Sequence, residues 1–330
     1  MKTEILKKIR TADDYVSGQV ICDELGVSRT AVWKYIKQYK EEGYEFDAVP
    51  NKGYKIIKYP DILTASELES QLDFTDGIIK KVVYFDETGS TNSEAKKYAD
   101  SDDSHECTLF ITECQTAGRG RRGRNWVSPA GSGIWMTLLL YPDIQPKSAS
   151  MLTIVAAMAM TNAINDVLGE DGHCYIKWPN DIVINKKKVC GILTEMSAEP
   201  DYINYVVTGI GLNVNTTDFD DEIKDKASSL YKETGKHIKR SDVVVAFSLE
   251  FNKYYKKFLE TGDLSSIRDE YNKMLINAGK QVIISGKNDN FTGIAKYINE
   301  KGELVVEKDD KTIVNVISGE VSVRGLYGYV

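Results

Sequence analysis

The sequence has few of the residues that form metal centres, disulfide frameworks or membrane spans. It contains three histidines, far apart, so a histidine-based metal site or a Ser-His-Asp triad is not expected. The five cysteines are odd in number, scattered and never paired as C-x-x-C. This usage argues against a structural metal and favours a reducing, cytoplasmic environment. No uninterrupted apolar run reaches the roughly 18 residues that cross a bilayer, and the start MKTEILKKIR predicts a charged amphipathic helix, so no membrane partner is expected.

A general excess of positive charge is also missing. The net charge of −7 argues against a protein that coats nucleic acid along its whole length. Residues 1–60 contain 11 lysines and arginines and nine acidic residues. The remainder contains 31 lysines and arginines and 40 acidic residues. A polyanionic partner therefore belongs to the N-terminal segment or to a local patch. The length of 330 residues suggests two or three domains.

The N-terminal segment has the pattern of a winged helix-turn-helix. A helix over residues 2–12 and a short helix in QVICDELG precede Gly26, and Ser28 is suited to cap a third helix, RTAVWKYIKQYKEEG. The alternating stretch YEFDAVPNKGYKIIKYP predicts a β-hairpin wing. The outward polar face predicts DNA contacts through Ser28, Arg29, Thr30, Lys34, Lys37 and Lys52. A helical unit that only mediates oligomerisation is the alternative.

The remaining sequence predicts two further domains, so the chain as a whole is expected to be α+β and multidomain. Strands and helices alternate irregularly over residues 64–276, which predicts a mixed or antiparallel sheet backed by helices. Within it, SASMLTIVAAMAMTNAINDVL predicts a buried helix. The stretch CYIKWPNDIVINKKKVCGILTEM predicts two strands, Ser241 is suited to cap a helix over VVVAFSLEFNKYYKKFLETG, and LSSIRDEYNKMLI predicts a further helix. Short, evenly spaced strands near the C-terminus predict a small SH3-like β-barrel. We therefore predict domains at 1–63, 64–276 and 277–330.

The most distinctive stretch is GRGRRGRNW, residues 118–126. Arginine side chains bind phosphate or carboxylate oxygens in pairs, and glycines let the backbone approach a ligand, so the stretch predicts an anion-binding loop. A solvated basic loop without function is the alternative. The glycines also match the G-x-G-x-x-G dinucleotide fingerprint, but that motif must open a helix, which Pro129 and its small neighbours prevent.

Five ordered motifs together resemble one known family. They are GSTN (89–92), QTAGRGRRGRNW (115–126), KWPND (177–181), KKVCGILTE (187–195) and GIGLNVN (209–215). Behind a winged helix-turn-helix, they closely resemble bacterial biotin protein ligases of the bifunctional type, which also repress the biotin operon. The resemblance covers all three predicted domains. It implies that the central sheet is of the class II synthetase and biotin/lipoyl ligase type.

The resemblance implies a reaction in two steps. Biotin and ATP, with Mg²⁺, form biotinyl-5′-AMP and pyrophosphate. The adenylate then reacts with a specific lysine of the biotin carboxyl carrier protein of acetyl-CoA carboxylase or a related carboxylase. The adenylate-bound protein is implied to be a homodimer that binds operator DNA. Because the first step brings two anions together, the site must supply positive charge.

The same resemblance assigns residues to these roles. Arg121 and Lys188 are implied to be catalytic, and Asp181 is implied to lie near Mg²⁺. The biotin site is implied to comprise Ser90, Thr91, Asn92, Gln115, Gly118, Arg119, Gly120, Arg121, Trp126, Lys188, Gly191 and Gly209. The site for ATP or the adenylate is implied to comprise Arg121, Arg122, Arg124, Trp126, Lys177, Asn180, Asp181, Lys188, Gly211 and Asn213.

Several alternatives stay open at this point. Spacing to Gly191 selects Lys188 over Lys186 and Lys187, and a solvated turn lysine is the alternative. Thr91 also opens a T-x-x-E capping box, which competes with ligand contact. The segment TTDFDDEIKDKASSL has no tryptophan where some family members have one, so the adenine contact has no assigned residue. A lipoate ligase and a repressor without ligase activity are the alternative functions.

Overall fold

The computed structural model describes residues 1–101, 103–286, 290–318, 322–325 and 329–330. Its N-terminal elements are α1 (Lys2–Thr11), α2 (Gly18–Leu25), α3 (Arg29–Glu41), β1 (Glu45–Val49) and β2 (Gly53–Lys58). Ser28 caps α3 as predicted, since its side chain accepts a hydrogen bond from the Ala31 amide. The two strands pair antiparallel as the wing.

A separate hydrophobic cluster holds these helices to the hairpin. Its members come from each helix and from both strands, and include Ile5, Leu6, Ile9, Ile21, Val32, Ile36, Tyr39, Phe46 and Ile56. The periodic apolar positions that predicted α1 and α3 are therefore the ones that are buried. The polar face of α3 is left exposed.

The central part contains a seven-stranded sheet with helices on both faces. Its elements are α4 (Ala65–Glu69), β3 (Lys81–Thr88), α5 (Thr91–Ala99), β4 (Thr108–Gln115), β5 (Gly133–Leu140), α6 (Met151–Leu168), β6 (Tyr175–Lys177), β7 (Asp181–Ile184), β8 (Lys187–Ala198), β9 (Ile203–Asn213), α7 (Leu230–Thr234), α8 (Arg240–Thr261) and α9 (Arg268–Met274). The strand order is β3-β4-β5-β9-β8-β7-β6. The β3–β4 pair is parallel and the other neighbours are antiparallel, as predicted for a mixed sheet.

Alternate residues of the central strands divide between the two faces of this sheet. Leu109 and Leu138 join the main core with α6 and α8. Phe110 and Leu139, their neighbours along the chain, pack against Ala95 of α5 in a second cluster. The start of α5 is thereby fixed beside the ends of β4 and β9, where the predicted binding motifs lie.

Helix α6 is buried as its alanines and methionines predicted. By length and composition it would pass for a membrane-spanning segment, but 72% of its most apolar window is buried inside the protein. Polar residues such as Thr161 and Asn162 interrupt its sequence, so it contains no uninterrupted apolar run long enough to cross a bilayer. Its position against α8 makes it a core helix of the central domain.

The C-terminal strands form an antiparallel sheet against the central domain. They are β10 (Gln281–Ser285), β11 (Asn290–Ile298), β12 (Leu304–Glu307), β13 (Ile313–Val316) and β14 (Ser322–Gly325), in the order β13-β12-β11-β10-β14. Val282, Ala295 and Leu304 belong to the same hydrophobic cluster as the central helices. The predicted fold class, with its N-terminal helix-turn-helix, central mixed sheet and C-terminal β domain, is confirmed.

Two predicted helix starts are wrong. The T-x-x-E box does not cap α5, which begins at Thr91 itself after Ser90, and the Thr91 hydroxyl bonds to Gln115. Ser241 does not cap α8 but lies within it, after Lys239. In both cases the hydroxyl has a partner that is distant in sequence, and a local motif cannot reveal that competition.

The two segments around KWPND and α9 also differ in detail. Residues 174–196 form three strands rather than two, because the Trp178–Pro179 turn separates β6 from β7. The helix predicted over 264–276 is confined to α9. The indole Trp178 Nε1 donates a 3.0 Å hydrogen bond to the Gly302 carbonyl, so the turn is fastened to the C-terminal domain.

Substitution of Gly53 should unfold the wing locally. Gly53 has φ +116°, and an added Cβ would lie 2.0 Å from the Val16 carbonyl oxygen. Gly26 has φ +66° but open space around it, so Gly26→Ala serves as the matched control. We expect Gly53→Ala to cost at least about 3 kcal/mol and Gly26→Ala about 1 kcal/mol. Amide hydrogen exchange over residues 2–58 should therefore accelerate about a hundredfold in Gly53→Ala. Equal exchange in the two variants would contradict this account.

Candidate functional site

The arginine loop, residues 116–132, leaves the sheet between β4 and β5 as a short hairpin. Its backbone joins Gly120 to Arg124 through a 2.7 Å hydrogen bond and Gly118 to Trp126 through a 3.0 Å hydrogen bond. The residues between Gly120 and Arg124 form a 3-10 turn. The glycines and arginines of the sequence motif thus form one defined turn, and Trp126 returns to the sheet.

A small cavity of about 50 Å³ lies beneath this hairpin. All the predicted biotin-binding residues except Gly118 line it: Ser90, Thr91, Asn92, Gln115, Arg119, Gly120, Arg121, Trp126, Lys188, Gly191 and Gly209. Gly118 lies beside it, where an added Cβ would meet the Trp126 carbonyl oxygen at 2.3 Å. Asn180 of KWPND also lines it, so the fold brings residues from all five sequence motifs to one place.

A hydrogen-bond network fixes the polar wall of the small cavity. The Thr91 amide donates to Gln115 Oε1 at 3.0 Å. The Thr137 hydroxyl lies 2.8 Å from Thr91 Oγ1 and 2.6 Å from Asn92 Oδ1. These bonds explain why Thr91 is not available as a cap. They hold amide and hydroxyl groups of both hydrogen-bonding types around the cavity.

Glu195 of β8 supports the same wall from behind. It accepts hydrogen bonds from Asn92 Nδ2 at 2.8 Å and from Lys96 Nζ at 2.7 Å. Burial by itself would raise the pKa of Glu195, but these two donors outweigh it and lower that pKa. A charged carboxylate therefore orients the Asn92 amide.

Glycines on β8 and β9 make room for the side chains that cross this face of the sheet. An added Cβ at Gly211 would lie 2.5 Å from Trp126 Nε1, and one at Gly209 would lie 2.2 Å from Asn92 Oδ1. At Gly191 it would approach the Trp126 ring to 3.0 Å. The buried Trp126 N–H has no hydrogen-bond partner among the described residues. The indole thus lies directly on the glycine floor, with a donor that a ligand could satisfy.

A larger cavity, of about 740 Å³, adjoins the small one. This volume lies in the range typical of small-molecule sites. All the residues predicted to surround ATP except Gly211 line it: Arg121, Arg122, Arg124, Trp126, Lys177, Asn180, Asp181, Lys188 and Asn213. Gly211 lies on the small cavity instead. The large cavity is therefore rich in cations, whereas the small one is lined mainly by neutral groups.

The two cavities meet at residues that line both, namely Gly120, Arg121, Trp126, Asn180 and Lys188. Arg121 donates to Asn180 Oδ1 at 3.0 Å and also to the Ser318 carbonyl. Burial lowers the pKa of the Arg121 guanidinium. This one side chain joins the arginine loop, the KWPND turn and the C-terminal domain.

Asp181 holds the cations at this junction together. Its Oδ1 lies 2.6 Å from Lys188 Nζ, and its Oδ2 accepts a hydrogen bond from Tyr329. Burial alone would raise the pKa of Asp181, but Lys188 and Lys177 outweigh it and lower that pKa. Burial also lowers the pKa of Lys177, to about 8. The carboxylate is thus ionised and surrounded by positive charge.

The described residues contain no group of three or more His, Cys, Asp or Glu side chains placed to hold a metal ion. Mg²⁺ commonly uses only one or two protein carboxylates together with substrate phosphates and water. Asp181 fits such a role by position, since it lies in the cation-rich cavity. Both of its oxygens already have partners, so one of those contacts must open before the carboxylate could act as a ligand.

Several residues that line the large cavity lay outside the predicted set, among them Phe219, Ile223 and Tyr329, and Arg324 of the C-terminal domain lines it as well. Phe219 and Ile223 are the only apolar residues in the polar stretch 216–226, and they are four positions apart. That spacing was the available sign that the two side chains share one face, which lines the cavity. For Tyr329 no local pattern exists, because its partners Asp181 and Lys177 are far away in sequence.

The predicted DNA-binding residues of α3 and the wing are all exposed. Arg29 is held by a 2.6 Å hydrogen bond to Gln19 of α2. Trp33, which was not predicted, is 60% exposed on the same face of α3, with Lys37 Nζ 6.0 Å from its ring centroid. It follows the buried Val32 directly, and its outward position was readable from the helical period.

Comparisons with known proteins match each part of the chain. Three family models match it: an HTH domain at residues 2–55, the biotin/lipoate A/B protein ligase family at 84–213 and the biotin protein ligase C terminal domain at 278–324. The bifunctional ligase/repressor BirA of Bacillus subtilis is 40% identical over 91% of this chain and 92% of the relative. The Escherichia coli protein of the same name is 28% identical over 94% of each. A structure of the biotin protein ligase from Aquifex aeolicus in complex with biotin and ATP has a TM-score of 0.65 at 29% identity, covering 75% of this chain and all of that one.

A methyl group at Gly211 should push Trp126 off the floor of the small cavity. An added Cβ would lie within 2.5 Å of the indole nitrogen, so either the ring or strand β9 must move. We expect Gly211→Ala to increase acrylamide quenching of tryptophan fluorescence and to shift the emission to the red. The same substitution in a Trp126→Phe background should change neither property. A change that persists without Trp126 would mean that the other tryptophans had moved.

Proposed function

The chain belongs to the biotin protein ligases of the bifunctional ligase/repressor type, and on that basis we propose how its residues divide the work of ligation and repression. The protein activates biotin as biotinyl-5′-AMP and transfers it to a lysine of a carrier protein. One observation carries the proposal. A small cavity lined by neutral polar groups meets a large cationic cavity, and Arg121 and Lys188 line both.

The small cavity suits the ureido ring of biotin. That ring presents both N–H donors and a carbonyl acceptor, and the wall offers amide and hydroxyl groups from Thr91, Asn92 and Gln115. The dithiolane ring of lipoate has neither group, so this wall favours biotin over the lipoate alternative. At about 50 Å³ the cavity must enlarge to admit a bicyclic ring, and displacement of Trp126 is the movement that would enlarge it.

In the first step, a carboxylate oxygen of biotin attacks the α-phosphorus of ATP and pyrophosphate leaves. Both reactants are anions, so the transition state concentrates negative charge where the two cavities meet. Arg121 contributes a charge and directional hydrogen bonds there, and Lys188 contributes a second charge once it releases Asp181. Arg121 is held in place before reaction by Asn180 and the Ser318 carbonyl, which is what makes it effective. The remaining arginines of the loop, Arg122 and Arg124, line the polyphosphate side.

Mg²⁺, when bound with ATP, would neutralise part of the phosphate charge. We assign Asp181 as its protein ligand. The apolar side chains of Phe219 and Ile223 form the wall that we assign to adenine, with Asn213 nearby. They occupy the role that a tryptophan has in some family members.

In the second step, the amine of an acceptor lysine attacks the anhydride carbonyl, an amide bond forms and AMP leaves. We propose that the acceptor is a biotin carboxyl carrier protein. The arginine loop must open to admit it, which requires Arg121 to release Asn180 and the Ser318 carbonyl. A closed loop protects the anhydride from water before the carrier arrives.

The N-terminal domain makes the same chain a repressor of biotin genes. We assign residues 1–63 to operator binding, 64–276 to catalysis and 277–330 to the C-terminal β domain. Operator binding by a homodimer that holds the adenylate would match two DNA half-sites. We place these activities in the cytoplasm, in keeping with the scattered unpaired cysteines.

Ligation is tested by incubating the protein with biotin, ATP, Mg²⁺ and a carrier domain, and probing the carrier with streptavidin. We expect labelling by the wild type. We expect Arg121→Gly to form biotinyl-AMP but to release it about tenfold faster or more, because a charged contact to phosphate is worth about 1.5 to 3 kcal/mol. The exposed Lys236, whose partner is Asp171, provides the control substitution Lys236→Gly.

An unlabelled carrier would exclude the ligase activity. Equal release rates for wild type and Arg121→Gly would exclude the role assigned to that side chain while leaving ligation intact. Labelling with lipoate in place of biotin, detected by antibody, would favour the alternative substrate.

DNA binding through the outward face of α3 is tested by comparing two exposed lysines of the N-terminal domain. Lys34 belongs to the predicted contact surface, whereas Lys7 lies on α1, outside that surface. We expect Lys34→Ala to weaken operator binding and to lower the slope of log Kd against log salt by about one. Lys7→Ala should bind like the wild type. The assignment fails if the two variants behave alike.

A further inference from the structure

Arg240 is an almost fully buried arginine outside both cavities. It is the first residue of α8, and its exposed fraction is 2%. Every N–H group of its guanidinium donates a hydrogen bond. Nε donates to the Asp61 carboxylate, and Nη2 donates to the Asp61 carbonyl and to Glu113. Nη1 donates to Glu113 and to the Gly133 carbonyl. Such a side chain is rigid, because moving it would break several charge-assisted bonds in a buried environment.

The first arm of Arg240 leads to the winged helix-turn-helix domain. Asp61 follows the wing directly, in the segment that connects the N-terminal and central domains. Its Oδ1 accepts from the Arg240 backbone amide at 2.9 Å and from Nε at 3.2 Å. Its backbone carbonyl accepts from Nη2 at 2.9 Å. The connection between the domains is therefore clamped at both its side chain and its main chain.

The neighbours of Arg240 reinforce this arm through Glu67, a fully buried carboxylate of α4. Glu67 accepts from Arg10 of α1 and from Tyr44 at the start of the wing. On the other side it meets Lys239 at 2.9 Å and Ser241 at 3.1 Å. Lys239 and Ser241 thus contact the Glu67 carboxylate, which is also bonded to Arg10 and Tyr44 of the N-terminal domain.

The second arm of Arg240 leads to the arginine loop. Glu113 of β4 receives Nη1 at 2.7 Å and Nη2 at 3.2 Å, and it also accepts from the Gly131 amide at 3.2 Å. Gly133, whose carbonyl receives Nη1 at 3.2 Å, is the residue at which the loop rejoins the sheet. Arg240 therefore holds the strand that enters the loop and the residues that leave it.

A third connection runs from Asp61 to the nucleotide side. The side-chain Nδ2 of Asn215 donates to Asp61 Oδ2 at 3.4 Å. The backbone amide of Asn215 donates to the Ser132 carbonyl at 2.7 Å. The next residue, Thr216, lines the large cavity. Ser132 belongs to the arginine loop. The connection between the domains, the end of the loop and the rim of the nucleotide cavity thus share one polar cluster.

We propose that Arg240 couples the orientation of the winged helix-turn-helix domain to the closure of the arginine loop. It is a positioning residue that acts through Asp61 on one side and through Glu113 on the other. The adenylate, by closing the loop, favours the orientation that binds DNA, and bound DNA in turn favours retention of the adenylate, since coupling between two sites is reciprocal. This inference rests on the proposed function and assigns the residues that link its two halves.

The composition of this cluster and the segments it joins indicate a role other than stabilising the fold. A buried ion network is seldom better for stability than apolar residues of similar volume. Here the network includes three separate segments, from the domain connection, from β4 and from the start of α8, and none of its members touches the small cavity. What it provides is a fixed geometry between those segments.

The coupling is tested in the full-length protein by removing the contacts of Arg240 to Asp61 and to Glu113 one at a time. The probe is a fluorescent duplex selected from a random-sequence library by the adenylate-bound wild type. Its Kd is measured by anisotropy with and without biotin and ATP, and the ratio of the two values is the coupling factor. We expect a wild-type factor of about ten or more. In Asp61→Ala and in Glu113→Gln it should fall to about two or less, and the double variant should match the single ones, because the three residues act as one unit.

A second measurement reports the loop itself. Trypsin can cleave the arginine loop after its own arginines, and mass spectrometry identifies those cuts. We expect Asp61→Ala to be cut there about tenfold faster than the wild type in the absence of ligand, although Asp61 lies outside the loop. Cleavage elsewhere in the chain should not change. Asp171→Ala, which removes an exposed partner of Lys236, is the control for both measurements.

The outcomes separate the inference from the function on which it rests. Failure of the wild type to form the adenylate or to select any duplex would overturn the proposed function. A wild type that does both, with an unchanged coupling factor in Asp61→Ala and Glu113→Gln, would overturn the inference alone. If Asp61→Ala does not fold, Asp61→Asn keeps the shape and removes the charge. An unchanged factor in Asp61→Asn and Glu113→Gln would then be decisive against the coupling.

Discussion

Mutual repulsion among cations is the constraint on which this site depends. Arg121 and Lys188 line both cavities and Lys177 lines the larger one, and like charges brought together at a partly buried site repel one another. Asp181 makes the arrangement tenable, since its ionised carboxylate contacts Lys188 and attracts Lys177. Its position follows from the KWPND turn, which is fastened to the C-terminal domain through Trp178. The third domain therefore contributes to the charge balance of a site built mainly by the second.

Space is the second constraint, and the glycines of β8 and β9 meet it. An extended strand normally places a side chain on each face at every second residue, which would fill the cavity floor. Gly191, Gly209 and Gly211 leave that face bare, and Trp126 and Asn92 occupy the room. Because the indole lies on glycines, no strand side chain on that floor interlocks with it. A floor of this kind permits a pocket that is nearly closed at one time and able to accept a ring at another.

The start of α8 shows how one short segment can serve two domains. Lys239 and Ser241 hold Glu67, whereas Arg240 holds Asp61 and Glu113. These contacts are separated by many residues along the chain, and the segment RSD has no motif that distinguishes it from an ordinary helix start. Local sequence predicted a serine cap there. In the structure, the Ser241 hydroxyl instead donates a hydrogen bond to the buried Glu67 carboxylate.

Sequence alone determined the features that depend on local periodicity and on contiguous motifs. Apolar spacing placed the cores of α1, α3 and α6, and ordered motifs supplied residues that line the two cavities. These predictions succeed because burial of one helix face and the chemistry of a loop depend on residues that are close together in the sequence. Only the tertiary structure decided that Thr91 faces Gln115 rather than its own helix, that Tyr329 reaches Asp181 and that Arg240 joins two domains. Each of these depends on a polar partner distant in the chain, and a hydrogen-bonding group gives no sign in sequence of which distant partner the fold will bring to it.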